Sequence, residues 1–261
     1  APMAALYDYN LPGWRADHSL LERAGELPDE GFDLARSQAK ANLIDYANGA
    51  TQLGFDPDVL TIGFARRMVP YKRATLLFRD LERLMDITGD RVQVLYAGKA
   101  HTNDLRGRKL VREIVALSQR LRGRMRVAFL TNYNMWLGGL MTSGVDVWLN
   151  TPVRPKEACG TSGMKAILNG VPNLSILDGW WAEGCDHDVN GWAIGGPDDE
   201  ADDARDANAL YELLEHGLLP AYYDNPGKMR AMRKAAIATA PRFSARRMIE
   251  EYDGRYYRRV R

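Results

Sequence analysis

Five short, largely apolar runs punctuate the chain, at residues 59–65, 92–96, 125–130, 145–149 and 173–177. Each has the length of a strand rather than a helix, and continuous apolar character marks strands buried on both faces. Between them the spacing changes. Residues 71–88 carry Leu76, Leu77, Leu81 and Leu84 at helical intervals, 104–121 is a charged amphipathic stretch, and 135–141 is a short apolar helix. Ahead of the first run, Pro28, Asp29 and Glu30 open a helix over 28–48, with acids in its first turn and Gly49 at its stop. After the fifth run come a tryptophan-rich loop, the pair Ala193 and Ile194, and helices over 207–215, 227–238 and 244–257. Residues 1–17 read as irregular, and the acidic patch 198–206 as a solvated loop. Strand–helix alternation repeated this often predicts an α/β fold with a doubly wound parallel sheet of Rossmann-like type.

In such a sheet ligands sit outside the carboxyl ends of the strands. Attention therefore falls on the loops 66–72, 97–103, 131–134, 150–165 and 178–184. Composition narrows the partners. The 261 residues are 46% hydrophobic and 26% charged with a net charge of +1, which gives no footprint for nucleic acid or an anionic membrane. No apolar run approaches the length of a membrane span, and two cysteines, Cys159 and Cys185, make no disulfide framework, so a cytoplasmic, reduced location is the default expectation. The four histidines lie far apart, without metal-ligand spacing, and no metal site is expected.

The most informative loop runs from Glu157 to Lys165, E-A-C-G-T-S-G-M-K, and leads into Ala166, Ile167 and Leu168. Gly160 and Gly163 let backbone approach a ligand, free N–H groups at a helix start favour an anion, and Thr161 and Ser162 add hydroxyls. Lys165 reads either as a counter-charge, although Walker spacing is lacking, or as an amine for a Schiff base. Arg66, Arg67 and Lys72, with Arg73 beside them, read as a solvated basic turn or as an anion clamp. Tyr133 is either a core tyrosine or a site residue, and Trp180 and Trp181 fit packing better than sugar stacking. Cys159 has no histidine base nearby in sequence and is not read as a nucleophile.

Continued to Asn169, the loop resembles the pyridoxal phosphate attachment signature of the α-glucan phosphorylases, the glycogen and maltodextrin enzymes of short bacterial type. The resemblance extends through G-F-A-R-R-M-V-P-Y-K-R (63–73), Y-A-G-K-A-H (96–101), D-V-W-L-N-T-P (146–152), L-D-G-W-W-A-E-G (177–184) and N-G-W-A-I-G (190–195). It implies that Lys165 carries pyridoxal phosphate, that Arg66, Tyr133, Thr161 and Ser162 contact the cofactor phosphate, and that Arg67 and Lys72 hold substrate phosphate. Glu157 would accept a sugar hydroxyl, with the backbone N–H groups of Cys159 and Gly160 beside it. The implied reaction is retaining, reversible phosphorolysis of α-1,4-glucan by inorganic phosphate to glucose 1-phosphate, on a fold resembling the C-terminal domain of a GT-B glycosyltransferase.

On this reading residues 1–27 are a connector or cut end and 28–261 the cofactor-binding domain with its C-terminal helices. The N-terminal GT-B domain is missing, so little activity is expected from the chain alone, and oligomers are allowed. Nucleotide-sugar synthases of similar fold carry a second glutamate where this chain has Lys165, which argues against them. A non-catalytic cofactor- or glucan-binding module is the remaining alternative.

Overall fold

The computed structural model describes residues 1–197 and 199–258. Six strands, β1 (Leu60–Ala65), β2 (Val92–Ala97), β3 (Arg126–Leu130), β4 (Val147–Asn150), β5 (Asn173–Ile176) and β6 (Gly191–Ile194), form one sheet. All pairings are parallel and the order is β3-β2-β1-β4-β5-β6. The chain leaves β1 toward one edge and returns through β4 toward the other, so the topological switch lies between β1 and β4, which pair through Ile62 with Val147.

Side-chain alternation explains the two covered faces. Val92, Val94 and Tyr96 of β2 join Ile62, Phe64, Val147 and Leu149 in one core, under α3 (Leu81–Thr88), α4 (Leu105–Arg120) and α8 (Asp203–Leu213). The intervening Leu95, Ala97 and Trp148 point the other way and meet Leu43 and Ile44 of α2 (Asp29–Thr51) and Leu137 and Met141 of α5 (Met135–Gly144). A strand covered on both sides has no polar face to show, which is why the apolar runs are unbroken.

The structure departs from the sequence expectations in five places. Residues 1–17 are not irregular: Pro2–Asn10 is a helix, α1, whose Met3 and Tyr7, followed by Leu11, form a buried stripe packed with Phe32 and Ile237. Only partners distant in sequence make that stripe visible as a core face. The Tyr7 hydroxyl donates to the Leu168 carbonyl at 2.8 Å, tying α1 to the loop after α6 (Thr161–Ile167). Residues 71–88 are not one helix. Short 3-10 turns at Pro70–Lys72 and Leu76–Phe78 precede α3, because Arg73 adopts a left-handed φ of 44° and Asp80 caps a new start by accepting the Arg83 N–H at 3.0 Å. Helix α2 runs through Gly49 and stops at Gln52, itself left-handed at φ 56°. Ala193 and Ile194 belong to a sixth strand, where Gly191 and Trp192 pair with Asn173 and Leu174; a four-residue strand holding a glycine has too little pattern of its own to be recognised.

The fifth correction bears on the site. The stretch 198–206 is not simply a solvated loop. Asp198 lies outside the described residues, but Asp202 caps α8, and Asp206 is buried on that helix. Asp206 meets the Arg73 guanidinium at 2.6 Å and Asp203 meets it at 2.9 Å. Arg73 also donates to the carbonyls of Thr151 and Pro152, at 2.9 and 2.8 Å. One arginine thereby fastens the loop after β4 to α8.

Close packing at glycine sets the position of α5. A Cβ at Gly144 would overlap the Leu43 Cβ and stand 2.8 Å from the Ala39 carbonyl oxygen, whereas one at Gly139, in the same helix, would meet nothing within 4 Å. Gly144→Ala is therefore expected to lower stability by about 1–3 kcal/mol through overpacking. Gly139→Ala should be neutral or raise stability by about 0.5–1 kcal/mol. Urea unfolding midpoints of the two variants check this, and equal shifts would show that the α2–α5 contact does not restrain the fold.

Candidate active site

Three parallel strands deliver the charged residues of the site. At the carboxyl end of β1 the chain continues directly into Arg66, whose N–H bonds the Ala97 carbonyl at the end of β2. Its guanidinium donates to the side chain of Asn150, the last residue of β4, and pairs with Glu157 at 2.9 Å. Lys72 reaches the same carboxylate, donating at 2.8 Å to one oxygen and 3.1 Å to the other. Glu157 itself is anchored from β5: its backbone N–H donates to Asp178 at 2.8 Å. Asn150 is in turn fixed by donating to the Ser175 hydroxyl at 3.1 Å. The result is a buried ion triad, Arg66–Glu157–Lys72, at the switch-point edge of the sheet.

The electrostatics follow from that packing. Burial alone would push the Glu157 carboxyl up, but Lys72 and Arg66 outweigh it and hold the group below its ordinary value. An ionised Glu157 is a hydrogen-bond acceptor and not a proton donor. Two cations against one carboxylate leave the triad itself with an excess positive charge, which the buried Asp178 carboxylate behind Glu157 offsets in part, and Arg67, exposed on the same loop, adds another. This is a field suited to an anion.

The glycine-rich loop is held by the turn after β5. Gly179 is left-handed, and a Cβ there would run into the Cys159 carbonyl, which also accepts the Trp180 N–H at 2.9 Å. Gly160, at φ 88°, turns the chain into α6. Thr161 is exposed, while the Ser162 hydroxyl is buried with no hydrogen-bond partner among the described residues. Lys165 is exposed on α6 and lines a cavity of about 650 Å³ together with Met135, Trp136, Leu168 and Asn169. Tyr133 is half-buried, its hydroxyl close to Gly138, and burial raises its pKa so that it keeps its proton. Burial, with Glu157 nearby, likewise pushes the Cys159 thiol up, against a nucleophilic thiolate. Trp180 and Trp181 are buried and pack on each other and on Phe243, as structural residues.

The structure thus brings Arg66, Lys72 and Glu157 into contact, with Cys159 and Gly160 on the adjoining loop. Among the described residues, the side chains of Lys165, Tyr133 and Arg67 make no hydrogen bond or ion pair with any of the three. Asn150, Ser175 and Asp178 were not singled out in sequence. Asn150 and Asp178 both lie in recognisable stretches, but nothing in their spacing says that one faces an arginine and the other a backbone N–H.

A pH dependence follows. The Glu157 pKa is lowered by folding, so its contribution to stability is complete above the ordinary value of 4.5 and is lost as pH falls through the depressed value. Glu157→Gln should lose stability at neutral pH, because two buried cations lose their counter-charge, by about 3–5 kcal/mol. The difference from the parent chain should shrink as the pH drops below about 4. Chemical denaturation between pH 3 and 7 measures both, and a gap independent of pH would contradict an ionised, paired Glu157.

Comparison with known proteins agrees with this geometry. A model of the carbohydrate phosphorylase family matches residues 14–187. The chain is 42% identical over 272 aligned residues to glycogen phosphorylase of Aquifex aeolicus, covering 94% of this chain and 39% of that protein. It is 47% identical over 251 residues to maltodextrin phosphorylase of Thermococcus litoralis, covering 88% and 30%. Against glycogen phosphorylase of Mycobacterium tuberculosis it is 43% identical over 237 residues, covering 86% and 27%. The chain therefore spans between 27% and 39% of the length of these relatives. With its six-stranded, all-parallel sheet of GT-B type and its charged loops at the switch point, the chain belongs to the carbohydrate phosphorylase family of glycosyltransferases.

Proposed function

We propose that residues 28–261 are the cofactor-binding domain of an α-glucan phosphorylase, which cleaves α-1,4-glucan with inorganic phosphate to give glucose 1-phosphate, with retention. The observation that carries this reading is the convergence of Arg66, Lys72 and Glu157 at the carboxyl ends of neighbouring strands, with Arg67 beside them. Cationic donors and a carboxylate able to accept a hydroxyl lie within one short span, which supports transfer of a sugar to phosphate.

The residues present fit pyridoxal phosphate. Ser162 supplies a buried hydroxyl without a partner among the described residues at the start of α6, and Lys165 stands one turn further on with its side chain exposed. When bound, that group supplies a phosphate that exchanges a proton with inorganic phosphate near neutral pH. The chain's own residues do the holding. Lys165 tethers the group, Thr161 and Ser162 donate to its phosphate, and Arg66 supplies positive charge. The protonated Tyr133 hydroxyl is a further donor.

Arg67 and Lys72 take the substrate phosphate. Arg67 makes no hydrogen bond or ion pair among the described residues, so its planar fork is available. Glu157 receives donors from Lys72 and Arg66 yet keeps lone-pair capacity, since a carboxylate offers about four acceptor sites. That spare capacity accepts a sugar hydroxyl, and the N–H groups of Cys159 and Gly160 meet neighbouring hydroxyls. An ionised, doubly paired Glu157 makes a poor general acid, which suits a reaction whose proton comes from phosphate.

Sugar contacts from a second GT-B domain complete the site and keep water out, so this chain alone should turn over little substrate. Borohydride reduction after incubation with pyridoxal phosphate, followed by peptide mapping, is expected to place the label on Lys165. Arg67→Ala should keep that label yet weaken phosphate and glucose 1-phosphate binding about ten- to a hundred-fold. Phosphorolysis of maltoheptaose should rise when the N-terminal domain of a close relative is added at matched cofactor content. Labelling elsewhere, or undiminished phosphate binding in Arg67→Ala, would sink the assignment; labelling with no activity in any combination would favour a binding module.

A further inference from the structure

A second charged cavity lies at the opposite edge of the sheet, away from Arg66, Lys72 and Glu157. It measures about 490 Å³ and is lined by Arg36, Lys40, Asp146, Tyr222, Tyr223 and Arg233, among others. Asp146 immediately precedes β4 and accepts the Thr61 N–H of β1 at 2.9 Å, which places the cavity at the amino-terminal edge of the switch-point strands.

Its charges do not balance. Asp146, 2% exposed, meets Lys40 at 2.6 Å and Arg233 at 2.8 Å. Arg36, 3% exposed, has no carboxylate partner among the described residues and donates instead to the carbonyls of Ser143, Val145 and Asn169. Three cations thus surround one buried carboxylate. The remaining charged lining groups form a separate set: Arg230 meets Asp33 at 2.6 Å and Asp29 at 2.9 Å, Lys234 meets the same Asp29 at 2.6 Å, and Asp58 is exposed on the rim. The Nε–H groups of both Arg36 and Arg233 are buried without a hydrogen-bond partner among the described residues. Buried polar groups are almost always paired, and buried charges call for counter-charge. Two unpartnered guanidinium donors on one cavity are an uncommon arrangement for a site with only a structural role.

We propose that this cavity is a second anion site, taking a phosphate-class oxyanion, either inorganic phosphate or the phosphoryl group of a small ester. The oxyanion lies against Arg233, in the field of Arg36 and Lys40; Arg230 at the rim is already held by Asp33 and Asp29. Arg233, with its side chain 13% exposed, is more accessible than the buried Arg36 and Lys40, and so is the cation of the unbalanced set that a ligand entering from solvent meets first. Ser37 stands exposed on α2 at the mouth, its hydroxyl donating to the Asp33 carbonyl at 2.9 Å, and the rings of Tyr222 and Tyr223 give an ester's carbon skeleton an apolar wall.

The test is isothermal titration of inorganic phosphate and of glycerol 3-phosphate into the chain carrying Arg67→Ala and Lys72→Ala and loaded with pyridoxal phosphate, which removes the proposed substrate-phosphate donors at the other edge and fills the proposed cofactor-phosphate contacts. Binding is expected to persist there and to weaken about tenfold or more on adding Arg233→Gln or Ser37→Glu. Arg233→Gln leaves Asp146 paired with Lys40. Ser37→Glu alters only an exposed position, so the proposal stays testable if Arg233→Gln does not fold. Tighter binding of glycerol 3-phosphate identifies an ester as the occupant, and tighter binding of phosphate identifies the free anion. Absence of binding by either probe in the doubly substituted chain, or binding indifferent to Ser37→Glu, overturns the proposal.

Discussion

The ion triad of Glu157 with Arg66 and Lys72 is the constraint on which the site geometry depends. Each of the three is buried, and a charge taken out of water demands compensation that only a close partner of opposite sign supplies. Because the partners arrive from β1 and from the loop after β4, and because Asp178 after β5 accepts the Glu157 N–H, satisfying the charges brings three loops to one place. The triad is poor evidence for stability as such. Its value lies in specificity: a glutamate with two cationic partners and a fixed backbone has few alternative positions.

The same switch-point strands carry a second set of ions at their other end. Asp146 bonds the Thr61 N–H while Lys40 reaches it from α2 and Arg233 from α9 (Pro226–Thr239). Carboxylates therefore lock both ends of the β1–β4 junction, where the reversal of strand order leaves a crevice that helices do not close. The front triad sets two cations against Glu157, with the Asp178 carboxylate adjoining, whereas the rear set, once Arg36 is counted, holds three cations around Asp146. Arg73 adds a third fastening between the loop after β4 and α8. These ties make the loops at the carboxyl edge part of a rigid scaffold, and rigidity is what a site that positions phosphate and sugar together requires.

The fold was legible to the extent that burial leaves a mark in sequence. Strands covered on both faces are unbroken apolar runs, so β1 to β5 stood out, whereas β6 did not, because Gly191 and Trp192 take strand geometry only through pairing with β5. The helix over 71–88 was misread since its apolar spacing is genuine but Arg73 leaves the helical region to point its guanidinium at the Thr151 and Pro152 carbonyls. The helix at Pro2–Asn10 was missed because its buried stripe has meaning only beside Phe32 and Ile237.

What the sequence by itself determined is the kind of chemistry and its address. A small-residue loop ending in Lys165, basic residues after the first strand and a glutamate at the head of the glycine-rich turn are local patterns, and the strand rule alone assigned them to one edge of the sheet. What only the tertiary structure decided is who pairs with whom. That Arg66 and Lys72 both pair with Glu157, that Asp206 is a buried partner of Arg73 and not a solvated acid, and that Lys40 and Arg233 meet at Asp146 are facts about contacts across 85 to 133 residues of sequence, from Lys72 and Glu157 to Arg73 and Asp206. The physical reason is that an ion pair depends on distance and on exclusion of water, and neither is set until the sheet has closed its two faces.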